Sequence, residues 1–438
     1  MIKSVEASLN EDYTCPVRDV LWGHIYMTGS MAMLTESAPF MRLTRIMQLG
    51  PVYLVYPGAT HTRASHSIGV YHLGRRLLQN LSQRGASDYL TRQGVKSFLA
   101  ACLLHDLGHF PYTHSLKELP LFSHEKLSGG IILSEPVKSL IGAAGADPEF
   151  TAAIIDKEIT VNDAELKFYR KLLSGALDPD KLDYLNRDAR YCGVPYGAQD
   201  VDFIFSRLNP DINRGVDIDS RLIPNVESVL FSKYLMYRTV YWHRQVRAAT
   251  AMVKKALIKS LESGVIKGED LYNIDDYSLF ALMGQKTGGS LIESVQEGRI
   301  YAAAFENSAD FNEFNENSQN NNDLPFNISD VRDIRKRAEY EERLAEKLRA
   351  SGNKELAEIT GEDIIIDIPE PVSFETGLYV TDEYKNFGES SSAFKAETVN
   401  AFIKTLYTIR IFINQKYYKT LKTITKNYSI LDKESWRL

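Results

Sequence analysis

The sequence predicts a mainly α protein, with a helical core and a smaller C-terminal α+β lobe. Three observations carry this reading. Apolar residues recur at helical spacing through roughly the first 260 positions. Short β-branched runs are confined to the last third of the chain. Neither the cysteines nor any apolar run offers a different architecture. The chain has 438 residues and a net charge of −6, with 44% hydrophobic and 25% charged residues. That is the composition of a globular protein able to bury its own core. It excludes a largely disordered chain and a strongly basic nucleic-acid binder. Cys15, Cys102 and Cys192 lack any CxxC spacing. A disulfide framework or thiolate zinc site is therefore not expected, and a reducing compartment fits. The first residues lack an apolar signal core. The longest apolar stretch, Phe98 to Leu104, falls well short of the ~20 residues of a membrane span. A soluble cytoplasmic protein is expected, with neither a membrane nor nucleic acid as partner.

The elements follow in order. Val70, Leu73, Leu77 and Leu81 form one apolar face after His66. Val95, Phe98, Leu99, Cys102 and Leu103 repeat at i, i+3, i+4, i+7 and i+8, a second helix with a buried face. Asp178 and Pro179 read as the N-cap and first position of a third helix. A fourth is expected from Lys233 to Leu257, where no Gly or Pro interrupts. Gly50-Pro51, Pro57-Gly58 and Gly193-Val194-Pro195 mark loops. The run from Asn307 to Asn322 holds seven asparagines and little that can be buried, so a surface loop is expected over about 307–325. Arg332 to Arg349 reads as a charged helix. Asp363–Ile368 and Ile409–Ile413 read as strands. The division expected is a catalytic core over 1–260 and an α+β region over 261–438.

Seven of the nine histidines lie between His61 and His124. The centre of this cluster is His105-Asp106-Leu107-Gly108-His109, with His114 beyond it. If the second helix extends to Asp106, that residue falls about 20° from Val95 and points inward. A carboxylate stays buried only when paired or bound to a metal. His66, four residues before Val70, extends another inward stripe. Two histidines and a carboxylate from two helices suit a divalent first-row metal. Each histidine alone reads equally well as a satisfied core residue; the cluster argues for the metal. In the third helix, Asp180, Tyr184, Asp188 and Tyr191 share a face, Leu182, Leu185 and Ala189 pack inward, and Asp183 can pair with Arg187 at i+4. Arg63, Lys181, Lys233, Arg238 and Arg244 form a scattered basic set, and there is no Walker A loop or Gly-rich dinucleotide fingerprint. Any phosphate handling must rest on side chains and a metal.

His66, His105-Asp106 and Asp180 together resemble the H…HD…D signature of the HD superfamily of metal-dependent phosphohydrolases. The segments Phe40–Gly50 and Tyr56–Val70, with His109, Pro111, His114, His124-Glu125 and Asp180–Asp188, resemble its deoxynucleoside triphosphate triphosphohydrolase branch. The resemblance runs from about Val17 to about Thr250 and weakens beyond. It implies an HD-domain helical core in which His66, His105, Asp106 and Asp180 hold one divalent ion (Mn, Fe, Mg, Zn, Co or Ni). It implies that His109, His114 and His124 line the α-phosphate, with Glu125 orienting His124. Arg63 would contact the phosphate nearest the sugar, and Lys181, Tyr184 and Lys233 the outer phosphates. Relatives often carry arginine at position 233, so a bidentate grip is lost here. Gln48 and Asp188 would bind the sugar 3′-hydroxyl, and Leu49 and Tyr241 would pack under the sugar. Tyr237 stands where some relatives carry histidine.

The implied activity is hydrolysis of dNTPs to deoxynucleoside and inorganic triphosphate by a homo-oligomer, dimer or tetramer, with deoxynucleotides as activators. An activator site of one relative's design is not expected to be preserved, because Glu36, Thr44 and Cys15 replace its residues. Two alternatives stay open. One is an HD phosphohydrolase acting on nucleoside monophosphates or cyclic phosphodiesters. The other is a non-catalytic nucleotide sensor.

Overall fold

The computed structural model describes residues 2–287, 290–308, 331–370 and 372–427. Apart from positions 307 and 308, the Asn-rich run lies outside the described residues. The chain divides into two compact units. The first comprises Met1–Met236, Lys267–Phe280 and Phe374–Ala396; the second comprises Tyr237–Ile266, Ala281–Ser373 and Glu397–Leu438. The chain passes between them several times, so residues beyond 260 contribute to both.

The first unit is mainly helical. After the helix Ile2–Asn10 comes an antiparallel hairpin, Tyr13–Asp19 against Gly23–Thr28. Its central pair of helices is Arg63–Gln83 and Arg92–Leu104. Val70, Leu73, Leu77 and Leu81 of one and Val95, Phe98, Leu99 and Cys102 of the other are buried, as their spacing predicts. The two backbones come close at Gly74, where a Cβ would stand 2.6 Å from the Cys102 sulfur. The Thr91 side chain caps the second helix by accepting from the Gly94 N–H. The helix Pro179–Cys192 starts at the Asp178 cap, which accepts from the Lys181 N–H at 2.6 Å, and stops at Gly193, whose φ is +67°. Leu182, Leu185 and Ala189 are buried as expected.

Two expected helices end differently. The Arg92 helix stops at Leu104 rather than reaching Asp106; His105 is its C-cap. Tight turns follow, with Leu107 N–H on the Leu104 carbonyl and His109 N–H on that of Asp106. Asp106 is buried through this turn and not through helical phase. The helix expected from Lys233 to Leu257 is interrupted. Ile223–Met236 gives way to a π-helical turn at Tyr237–Tyr241, and a new helix runs from Arg244 to Glu262. The break has a local cause. The Trp242 N–H bonds to the Tyr237 carbonyl five residues back, and the His243 ring caps the next helix by accepting from the Gln245 N–H.

The second unit carries a three-stranded antiparallel sheet. Thr408–Ile413 is central, flanked by Ala302–Ser308 and Ile364–Asp367. The first flanking strand begins with three alanines, residues of weak β preference, and its sequence does not announce it. The charged helix Ile334–Ala350 buries Leu344, Ala345 and Leu348 against Ile364, Ile366, Ile409 and Ile411. Charges inside this unit are paired. Arg247 grips Asp367 with two hydrogen bonds, and Lys255 reaches Glu341 at 2.6 Å. Among the described residues, no helix is long and apolar enough to cross a membrane.

Candidate active site

Three segments of the first unit bring the predicted metal residues together. His66 faces inward from the first turn of the Arg63 helix. His105 and Asp106 occupy the turn after Leu104, and Asp180 the first turn of the Pro179 helix. His66 Nε2 is 2.9 Å from Asp180 Oδ1, and His105 Nε2 lies 3.3 Å from Asp106 Oδ1 and 3.8 Å from Asp180 Oδ1. Ligands held at right angles about 2.1 Å from a common ion stand about 3 Å apart, so these separations suit one cation. The tautomer of His105 points the same way. Its Nδ1–H donates to the Cys102 carbonyl at 3.0 Å, which leaves a lone pair on Nε2. That atom is buried with no hydrogen-bond partner, and it faces two carboxylate oxygens. A lone pair against carboxylates is repulsive unless a cation lies between them.

The electrostatics agree. Burial pulls the His66 imidazole down, but hydrogen bonds and charge from Asp180 and Asp183 outweigh it and lift it to about 10. Burial pushes the Asp106 carboxyl up, and His109, His105 and Arg63 more than reverse this, holding it well below the carboxylate range. Asp180 is held low in the same way by His66 and His105. The two carboxylates are ionised and the position calls for positive charge. The His66, His105, Asp106 and Asp180 set therefore fits a divalent ion.

A second layer holds the first. His66 Nδ1 is 2.9 Å from Asp183 Oδ2. Asp183 is fully buried and also accepts from Trp22 Nε1 at 2.6 Å and from Arg187 at 2.7 and 2.9 Å. Arg187 reaches on to Asp19 in the N-terminal hairpin at 2.8 Å. Gly69 makes room, since a Cβ there would stand 1.9 Å from Asp183 Oδ1. Partners of this kind fix the tautomer and orientation of a metal-binding histidine. The Asp183–Arg187 pair has the expected spacing, but the Asp19 and Trp22 contributions carry no sequence signal. The HD turn has its own clamp. Buried Arg42 donates to the carbonyls of Leu107, His109 and Ile274.

His109, His114 and His124 gather beside this set. Their ring centroids are separated by 4.0, 4.8 and 5.1 Å, with His109 and His124 nearly stacked. His109 Nε2 is 3.1 Å from Asp106 Oδ1, and its Nδ1 is buried without a partner. His124 Nδ1 lies 3.2 Å from Glu125 Oε2, at the start of the helix His124–Ile132. Burial lowers both His109 and His124 below the usual histidine range. Gly108 lets the turn touch the His124 helix directly: a Cβ there would be 2.1 Å from the His124 carbonyl oxygen.

The predicted substrate residues divide. Arg63 is buried with Nη1 on Asp106 at 2.8 Å, and its Nε has no partner. Lys181 Nζ binds Asp178 at 2.7 Å, the Gly175 carbonyl at 2.9 Å and Glu375 at 3.1 Å. Lys233 is buried, with its ammonium 5.7 Å from the centre of the Phe374 ring, and burial lowers its pKa. Asp188 is buried 2.7 Å from His61 Nε2. Gln48 and Leu49 precede the 3₁₀ turn Gly50–Leu54, and the Gln48 Oε1 is buried without a partner. Tyr184 is half-buried on the Pro179 helix. Tyr237 and Tyr241 belong to the second unit, with their rings edge to face at 5.1 Å.

Known proteins share this chain's pattern. Residues 63–156 match the HD domain, and residues 211–436 match the HD associated region. An uncharacterized protein of Methanocaldococcus jannaschii is 32% identical over 65% of this chain and 58% of its own length. The deoxynucleoside triphosphate triphosphohydrolase SAMHD1 of Bos taurus is 26% identical over 56% of this chain and 47% of its own length. The chain thus spans about half the length of the curated relatives it matches. The crystal structure of a phosphohydrolase from Bacteroides thetaiotaomicron covers 92% of this chain and all of that one, with a TM-score of 0.68 and 21% identity, a likeness of fold. The matched HD domain contains His66 and the His105-Asp106 pair, the associated region covers more than half of the sequence, and the chain belongs to the HD superfamily of metal-dependent phosphohydrolases.

Proposed function

We propose that this protein hydrolyses deoxynucleoside triphosphates at the α-phosphorus, releasing a deoxynucleoside and inorganic triphosphate. The observation that carries the reading is the convergence of His66, His105 and Asp106, with Asp180 beside the two histidines, on three imidazoles and the Arg63 guanidinium. The catalytic core is assigned to residues 1–260. His66, His105, Asp106 and Asp180 would hold a divalent cation, which when bound would supply Lewis-acid polarisation of an α-phosphoryl oxygen.

The chain's own groups do the rest. Arg63 lies beside Asp106 and offers its unpartnered Nε to phosphate oxygens. Lys181 and Lys233 take the outer phosphates, and Tyr184 assists them. Gln48 and Asp188 read the 3′-hydroxyl, with Leu49 against the nucleoside. His109, His114 and His124 hold protons at the α-phosphate, and one of them, His124 or His109, passes a proton to the departing 5′-oxygen. A bound polyanion opposes the burial that lowers these rings' pKa values, so substrate itself favours their protonated forms. Glu125 orients His124. A homo-oligomer with deoxynucleotide activators follows from the same resemblance, and sedimentation with and without dNTPs tests the assembly.

The deciding experiment resolves the products of metal-loaded protein with each dNTP, singly and mixed, by ion exchange. Deoxynucleoside with inorganic triphosphate is expected, and Asp106→Ala should lower turnover by at least ~10³-fold while leaving the protein folded. Nucleotide with orthophosphate or pyrophosphate would move the protein to another phosphohydrolase class. Bound dNTP with no turnover under any metal would make it a sensor.

A further inference from the structure

The loop before the Arg63 helix carries a buried histidine that the roles above do not use. His61 is 4% exposed. Its Nε2 is 2.7 Å from Asp188 Oδ1, and its ring lies over that of Tyr191 with centroids 4.6 Å apart. Its backbone carbonyl accepts the Gln48 N–H at 3.0 Å. Gly58 lets the same loop pass tightly against the Pro179 helix, because a Cβ there would stand 2.6 Å from the Tyr191 carbonyl oxygen. One residue therefore touches both groups assigned to the sugar edge: Asp188 through its ring and Gln48 through its main chain.

The chemistry of the contacts is directional. Asp188 is a carboxylate acceptor, so Nε2 of His61 carries the hydrogen and holds the carboxylate in one rotation. The Gln48 Oε1 is a buried acceptor that no donor among the described residues satisfies. An orphaned buried carbonyl is costly unless a ligand brings a donor, and a hydroxyl is such a donor, its single hydrogen going to Gln48 Oε1 or to the Asp188 carboxylate.

We propose that His61 is a positioning residue for sugar specificity. By aiming Asp188 and anchoring Gln48, it lets the site distinguish a nucleotide with a 3′-hydroxyl from one without. This rests on the deoxynucleotide reading above, and concerns which sugars that site accepts. Without the His61 hydrogen bond, Asp188 is held less firmly toward the hydroxyl and discrimination falls, while steps at the phosphates are spared.

The test compares kcat/KM for the best dNTP and its 2′,3′-dideoxy analogue in wild type, His61→Phe and His61→Gln. Phenylalanine keeps the ring on Tyr191 and removes the donor; glutamine returns a donor near the Nε2 position. Wild type is expected to prefer the dNTP by on the order of 10²-fold or more. His61→Phe should shrink that ratio about tenfold with little change in the dideoxy rate, and His61→Gln should restore most of it. A merely structural role would lower both rates together and leave the ratio unchanged, and that result overturns the inference while the dNTP reading stands. Wild type that hydrolyses both nucleotides equally also overturns it. Wild type that hydrolyses neither overturns the dNTP reading and the inference with it. If His61→Phe does not fold, His61→Asn, whose shorter amide stops short of Asp188, is read in its place.

Discussion

Replacing Asp183 with asparagine should weaken both the fold and the metal site, and the size of each effect can be worked from its four bonds. Asp183 Oδ2 accepts from His66 Nδ1 and Arg187 Nε; Oδ1 accepts from Trp22 Nε1 and Arg187 Nη2. An amide can present only one acceptor oxygen. Whichever way it turns, its NH2 group faces two donors, and two of the four bonds are lost. Each buried bond to a charged group is worth about 1.5–3 kcal/mol. Arg187 keeps Asp19, which limits the damage. A loss of roughly 3–5 kcal/mol is expected, in line with breaking a buried ion pair from one side. If the amide turns its NH2 toward His66, that ring loses its orienting acceptor, and metal affinity should fall about 10–100-fold. Urea unfolding reads the first number, and competition with a chromophoric chelator reads the second. A variant with an unchanged urea midpoint and unchanged metal affinity would refute the role given to this layer.

Other outcomes follow from single contacts. Gly69→Ala should cost about 3 kcal/mol or more, because its methyl would collide with the Asp183–Arg187 pair; a melting temperature within 2–4 °C of wild type would count against that packing. Burial lifts Asp276 to about 6 despite its bond from the Met47 N–H, so its protonated form is favoured in the fold. That contribution is complete below the unfolded value near 4 and fades as pH rises through about 6. Asp276→Asn should therefore add about 1–3 kcal/mol at pH 8 and almost nothing at pH 4, and equal thermal shifts at both pH values would contradict it. Glu375 already sits on Lys181 and lends charge near Lys233. Glu375→Gln should tighten binding of inorganic tripolyphosphate several-fold by calorimetry. Weaker binding would mean that Glu375 steadies the lysine rather than competing with the ligand.

Local rules made part of this site legible. His66 and Val70 share a helical phase, Asp178 and Pro179 announce the start of the helix that carries Asp180, and the i+4 spacing of Asp183 and Arg187 foretells their pair. A turn, and not the continued helix that the apolar phase predicts, buries Asp106. What stayed hidden depends on distant partners. Trp22 and Asp183 are 161 positions apart, and Asp19 and Arg187 168, so no window of sequence displays them together. The break at Trp242 carries no sequence signal, because a histidine cap leaves no Gly or Pro behind. The Ala302–Ser308 strand stays hidden in the sequence because pairing with an isoleucine-rich neighbour overrides weak propensity.

The wide separation of the donors also has a thermodynamic consequence. His66 and the Asp180–Asp183 turn approach across more than a hundred positions, so the unfolded chain has nothing resembling the assembled quartet. An ion that binds only the folded form acts by mass action. At a free concentration 100 times its dissociation constant it adds about 2.7 kcal/mol to stability. The melting temperature of this protein is then a gauge of free metal, rising with concentration after the site is saturated and falling when a chelator is added. Two preparations of identical sequence can differ by several degrees solely through the buffer they were dialysed against.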